Sequence, residues 1–458
     1  MGKQKNDMLH GSIWRGLPRF ALPIAATAIL GQLFNASDIA VVGNFAAQNR
    51  TAAVAAVGAN SPIVSLIVNL FLGISLGSND VIANAIGRRD ERAIEKTVHT
   101  SIAIAVLGGV LVALLGELCA SWLLRSFHVP EDVFDPALHY LRIYLLGMPV
   151  ILLYNFEAAI FRSAGETKLP LLALSLSGVL NVFLNLFFVL ALALGMNVEG
   201  VAIATVISNA VSSAILFVGL LRTEGVLRVH IGKLRLDRGS FRWVMKIGLP
   251  AGAQSAVFSI SNLVIQAAIN TLGTNVMAGS SAAFNLEVIA YYVFNAFTQA
   301  CTTFVGQNYG AGQLDRCKKT LRCAYVEDAL ATGAAIALVL AAGRTLLALF
   351  NRDPEVIACG YTRLVVIFFA YAFSMTYEMI AGYLRGFGIS MVPAVLTMLG
   401  VCGVRIVWVY TAFAANRTFD TLLLAYPLSL AVTAALLLGA LLFHHPAAEL
   451  AKENAAVR

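Results

Sequence analysis

The 458-residue sequence predicts an all-α integral membrane protein, with twelve transmembrane helices arranged as two pseudo-symmetric six-helix bundles. Three observations predict it. First, 59% of the residues are hydrophobic and only 12% charged, whereas a soluble chain carries about a quarter charged residues, so the polar residues needed to cover a wettable surface are missing. Second, apolar stretches long enough to cross a bilayer recur along the whole chain. Third, motifs in the first half return in the second at a nearly constant offset.

Spans are expected near 18–44, 52–84, 97–118, 138–160, 169–193 and 200–220, then near 247–271, 278–306, 322–342, 361–384, 391–414 and 421–443. Residues 247–286 carry no charge and are too long for one helix, so a break is placed at Gly273 or Gly279. The apolar stretch after the basic first residues is too long for a signal-peptide core, and no cleavage is expected. Cys119, Cys301, Cys317, Cys323, Cys359 and Cys402 form no CxxC pair and read as small core residues.

Loop charge sets the orientation, because cytoplasmic loops retain Lys and Arg. One side collects Lys3, Lys5, Arg15 and Arg19, the cluster Arg88 to Lys96, Arg162 and Lys168, and the run Arg222 to Lys246. It also collects Arg316 to Arg322, Arg385, Lys452 and Arg458. The other side holds Arg50, Arg125, Arg142, Arg344, Arg352, Arg363 and Arg417. Both termini are therefore expected in the cytoplasm. The net charge of +7 is spread over short loops and forms no basic domain, which excludes nucleic acid as a partner.

The internal repeat is the most informative feature. GRRDERAIEKT (87–97) matches GAGQLDRCKKT (310–320) at an offset of 223, and the same offset lays Arg162, Gly165 and Pro170 on Arg385, Gly388 and Pro393. FALP (20–23) corresponds to IGLP (247–250) at an offset of 227. The organisation that follows is a six-helix lobe over 1–221, a basic cytoplasmic linker over 222–246 and a second lobe over 247–458, related by an axis along the membrane normal.

With LFNASDIAVVG on span 1, TTFVGQNYGAG after span 8 and LRGFGIS after span 10, the chain resembles the multidrug and toxic compound extrusion (MATE) transporters, and its bacterial DinF-like branch in particular. The resemblance covers nearly the whole chain. It implies a monomeric exporter in the bacterial plasma membrane, coupled to Na+ or H+ and needing no cofactor. Its cargo would be organic, often cationic or amphipathic, compounds, carried through a central cavity that opens alternately to each side. NorM-like members carry an acidic residue soon after the span 7 proline, whereas here Pro250 is followed by AGAQSAVFSISN. In DinF-like members the coupling-ion site lies in the N-terminal lobe, and the matching positions are Asp38, Asn181, Asn185 and Thr205. The span 5 Asp of that pattern is replaced by Asn185, which lowers the acidic count of the site from two to one.

The residues alone lead to the same place, since an ionisable group inside a span is costly and marks a functional candidate. Asp38 lies about 9 Å from the outer end of span 1, with Asn35 three residues earlier on the same face. Asn181 and Asn185 share a face of span 5, and Asn185 and Thr205 sit roughly 12 and 9 Å below the outer ends of their spans. One carboxylate with amide and hydroxyl oxygens suits a monovalent cation, with Na+ at Asp38 as one form, or a carboxyl that gains and loses a proton. The plainer alternative is that Asp38 faces a wet cavity or caps a helix break while the asparagines hold helices together.

In the second half, Glu287, Glu378 and Arg405 lie inside spans. By depth Glu287 and Arg405 are expected to pair, either as a packing salt bridge or as part of a substrate or proton site with Glu378. Glu157 and Glu166 read as interfacial partners of Arg162. Pro23 and Pro250 are expected to start equivalent helices, as static entry turns or as bends, and the resemblance favours Pro23 for a bend in span 1. A flippase or exporter of a lipid-linked or amphipathic metabolite is the nearest rival, but Arg405 alone lies deep where such a protein would need several Arg for pyrophosphate. No HExxH, Gly-x-Ser-x-Gly or carboxylate pair suggests an enzyme, and no repeated filter sequence suggests a channel.

Overall fold

The computed structural model describes residues 7–45, 50–126, 129–190, 198–443 and 446. Lys3, Lys5, Lys452 and Arg458 of the cytoplasmic tally lie outside them. The first half forms α1 (Ile13–Phe45), α2 (Arg50–Gly87), α3 (Glu91–Ser126), α4 (Glu131–Leu146), α5 (Met148–Ser163), α6 (Lys168–Leu190) and α7 (Val198–Arg222). After a 3-10 turn at Ile231–Lys233 come α8 (Arg238–Asn270), α9 (Thr274–Gly310), α10 (Leu314–Ala348), α11 (Pro354–Gly386), α12 (Met391–Phe413) and α13 (Phe419–Phe443). No strand occurs among the described residues. Eleven of these helices are long and apolar enough to cross a bilayer, and α4 with α5, bent by 48° at Gly147, makes a twelfth span. Leu118 and Phe369 are 81% and 69% exposed, apolar side chains that only lipid would accommodate.

Local chemistry sets the breaks. Pro149 has no N–H to bond the carbonyl of Leu145, so the fourth span ends one helix and starts another. Gly109 on α3 meets this junction, where a Cβ would come within 2.4 Å of Pro149 Cα. At Gly273 a φ of 101° separates α8 from α9. Gly279, the other expected break, instead lies within α9, where the missing side chain lets the helix touch the backbone of α11. Pro23 and Pro250 do not start their helices: α1 begins at Ile13 and α8 at Arg238, and both continue through the proline.

The repeat is visible in backbone conformation. Positive φ occurs at Arg89 (57°) and Gly312 (72°), and at Gly165 (84°) and Gly388 (80°), pairs that the offset of 223 superposes. The same offset relates two interhelical hydrogen bonds: Asn79 Nδ2 donates to Ala159 O (3.2 Å) and Thr302 Oγ1 to Gly382 O (2.9 Å).

By contacts the chain divides into two units, one of Ala26–Ile86 with Asp90–Gly248, the other of Met1–Ala25, Gly87–Arg89 and Leu249–Arg458. The boundaries therefore fall inside α1 and α8, beside Pro23 and Pro250. In the first-named unit α3 packs on α4 and α5, these on α7, and α7 on α6. The basic stretch after α7 docks on the start of α3: Lys233 pairs with Glu95 (2.7 Å), Lys96 with Asp237 (3.4 Å), and the His230 N–H donates to His99 Nε2 (3.0 Å). In the other unit α9 packs on α10 and α11, and α11 on α13.

Candidate functional site

Asp38 is buried on α1, and the side chains around it come from α6 and α7. Asn185 Nδ2 donates to Asp38 Oδ1 (2.5 Å) and to Asn181 Oδ1 (3.1 Å), while Thr205 Oγ1 donates to Asp38 Oδ2 (3.1 Å). Asn181 Nδ2 closes the ring towards Thr205 Oγ1 at 3.5 Å. The approach of α6 to α1 depends on Gly178, since a Cβ there would overlap the Phe34 ring. Every hydrogen-bond partner of Asp38 is neutral, and Asn185 Oδ1 is buried without a partner. That oxygen, the Asp38 carboxylate, Asn181 Oδ1 and Thr205 Oγ1 are hard donors of the kind a monovalent cation takes. No group of three His, Cys, Asp or Glu poised to hold a metal occurs among the described residues.

Four of the five expected residues thus meet. Asn35 does not: it is exposed, because the face of α1 that turns Asp38 inward leaves Asn35 outside. Two residues not anticipated join from α4, Tyr140 and Tyr144, whose rings stack at 6.1 Å within electrostatic reach of Asp38. Their spacing of four residues was visible, but nothing local ties α4 to α1.

The expected pairing of Glu287 with Arg405 is not what the structure shows. Glu287 on α9 takes a bidentate bond from Arg363 on α11 (2.7 and 3.1 Å), and Arg363 also donates to Ser280 (2.7 Å). Loop charge assigns Arg363 to the outer side, yet it is only 3% exposed and lies inside α11. Arg405 instead donates to Ser429 (3.1 Å) and Asn262 Oδ1 (3.1 Å) and lies over the rings of Tyr426 (4.5 Å) and Phe258 (5.2 Å). Two π-helical segments, Met398–Gly403 and Val409–Phe413, flank the turn that carries it. Glu378 lies 3.9 Å from Arg385.

Nor do the bonds of Glu157 include Arg162. Glu157 is fully buried and accepts from Ser213 (2.9 Å), whereas Glu166 caps α6 through the N–H groups of Lys168 and Leu169 (2.8 and 3.2 Å). Asp80, Glu327 and Asp328 are further buried acidic residues that hydropathy alone did not single out.

Over 443 residues the chain is 26% identical to "Probable multidrug resistance protein YoeA" of Bacillus subtilis, covering 93% of each protein. It is 25% identical to "Probable multidrug resistance protein NorM" of Thermotoga maritima, over 86% of this chain and 84% of that one. Among solved structures, a MATE in the straight conformation superposes with a TM-score of 0.89 at 20% identity, covering 99% of this chain and all of the other. One in the bent conformation gives 0.87 at 21% identity, over the same shares. The sequence pattern of the MatE family matches twice, at residues 23–187 and 250–411, once in each half of the repeat. The chain belongs to the MatE family, the multidrug and toxic compound extrusion transporters.

Proposed function

We propose that the protein is a cation-coupled antiporter, driven by Na+ or H+, that exports organic, often cationic or amphipathic, compounds across a bacterial plasma membrane by alternating access. The observation that supports this reading is the buried Asp38 carboxylate, held by Asn185 and Thr205 with no basic side chain bonded to it among the described residues. A carboxylate removed from water needs a counter-charge. A proton or a sodium ion supplies it, and the difference in its binding between the two faces of the membrane then biases the conformational equilibrium. Relatives named for multidrug resistance support the breadth of cargo.

Asp38→Asn is the direct test, because the amide keeps the shape and an oxygen that accepts from Asn185 but loses the charge and the titratable proton. In proteoliposomes the variant should fold and bind dye yet lose efflux driven by an imposed Na+ or proton gradient. Uphill efflux at the wild-type rate would remove Asp38 from the coupling site. Running the two gradients separately names the ion.

A further inference from the structure

A second buried carboxyl lies in the same unit and is not accounted for by the coupling site. Glu157 on α5 is fully buried, accepts one hydrogen bond, from Ser213 on α7, and leaves Oε1 buried without a partner. Among the described residues no basic side chain bonds to it. Its surroundings are polar but nearly uncharged. On its own helix Tyr154 lies within electrostatic reach of both Glu157 and Arg162, and donates to Pro170 O on α6 (3.5 Å). From α2, Asn79 bonds the carbonyl of Ala159, with the buried Asp80 next to it in sequence. From α3, Ile102 clusters with Ala158, and Ile104 and Ala105 with Phe156, the residues on either side of Glu157 in sequence.

The path between the two carboxyls runs along α7. Thr205, which bonds Asp38, is followed at helical spacing by Ser208, Asn209, Ser212 and Ser213, and of these only Asn209 is not fully buried. Asn209 Nδ2 reaches back to Thr205 O (2.8 Å) and Ser212 Oγ to Asn209 O (2.9 Å). From Thr205 to Ser213 the rise is about 12 Å, directed towards the helix end that carries Arg222. An apolar span would place Ala, Leu or Val on this stripe. Ser208 Oγ likewise donates back to Ala204 O (2.7 Å), so the stripe offers hydroxyls and an amide in succession, and waters set between them would complete a route for a proton.

We propose that Glu157 is a second proton-binding site, and that the proton leaving Asp38 travels along α7 to it on the way to the basic end of the bundle. The proposal rests on Asp38 as the coupling residue and commits the coupling ion to H+. In the transfer the O–H bond of the Asp38 carboxyl breaks. Ser213 passes its hydroxyl proton to Glu157 Oε2 and takes the next from the lane, so one O–H bond is lost at Asp38 and one formed at Glu157.

Glu157→Gln and Ser213→Ala, reconstituted beside wild type and Asp38→Asn, test it. Proton movement is followed with a pH dye in the lumen, and dye binding is measured at equilibrium. Both lane variants should slow proton-coupled exchange roughly tenfold or more. They should also flatten its dependence on the pH at the face carrying Arg162 and Arg222, with dye binding unchanged and the proteins folded. Glu157→Asp should restore part of the rate. If Glu157→Gln fails to fold, Ser213→Ala carries the test, because it removes the link while leaving the carboxyl. Wild-type exchange with an unaltered pH profile in Ser213→Ala and in any folded Glu157→Gln, while Asp38→Asn is inactive, overturns the lane and leaves the coupling site standing. Full activity of Asp38→Asn overturns both. Exchange driven by sodium alone overturns the lane.

Discussion

A single amide stands where the DinF-like pattern has a second carboxylate. Asn185 donates to Asp38 and to Asn181, so it satisfies its neighbours without adding charge. Asn185→Asp would place two carboxylates in bonding contact, and a cation would then relieve their repulsion. The variant should bind Na+ about tenfold more tightly, about 1.4 kcal/mol, read as a larger rise in melting temperature on adding NaCl. An unchanged response to NaCl would exclude Asn185 as a ligand. Asp38, Asn181, Asn185 and Thr205 were legible because each is a polar residue in an apolar run at similar depth. Asn35 shows the limit of that argument, since spacing of three says which residues share a helix face but not which face turns inward. Tyr140, Tyr144 and Glu157 were out of reach for a related reason: what matters at each is a neighbour from a distant helix.

At the scale of elements, charge pairs join helices and caps start them. The Glu287–Arg363 pair ties α9 to α11 with both side chains almost fully buried. Glu287→Gln alone or Arg363→Met alone strands a charge and should cost about 3–5 kcal/mol, while the double variant should recover most of that stability. Thermal melts of the three proteins in detergent decide it, and additive losses in the double variant would refute the pairing. Depth along the spans points to Arg405 as the partner, whereas Arg363 lies two residues inside an expected span boundary, where hydropathy is least certain. At the start of α8, the Asp237 carboxylate accepts the Ser240 N–H (3.0 Å). That bond above all, with Lys96 adding to it, holds the carboxyl below the usual carboxylate range. A depressed folded value means its contribution is complete above the unfolded carboxylate value and is lost as pH falls through the folded one. Asp237→Ala should cost about 1 kcal/mol as a lost cap. It should also speed hydrogen exchange over residues 228–237 at neutral pH, whereas unaltered exchange would show that the cap does not hold the docked stretch.

Over the whole molecule, duplication was the most legible property, because a repeat is written in residue identity and needs no knowledge of contacts. The structure adds what identity could not give: matched positive φ at Arg89 and Gly312, and equivalent interhelical bonds from Asn79 and Thr302, residues of different type. Also unreadable was the passage of α1 and α8 from one contact unit to the other beside Pro23 and Pro250, since a helix that changes partners keeps the same hydropathy. The orientation of the bundle rests on loop charge, and moving Arg363 from a loop to the interior of α11 makes the bias steeper. Arg88, Arg89, Arg92, Lys96 and the run from Arg222 to Lys246 lie at one set of helix ends, against Arg125 and Arg417 at the other. If Lys and Arg are retained on the cytoplasmic side, the stretch between α7 and α8 is expected inside the cell and the turn between α12 and α13 outside. In a cysteine-free background, a membrane-impermeant maleimide should label Arg417→Cys in intact cells and Arg228→Cys only after the membrane is opened. The reverse pattern would invert the topology, and with it the face towards which the α7 lane delivers its proton.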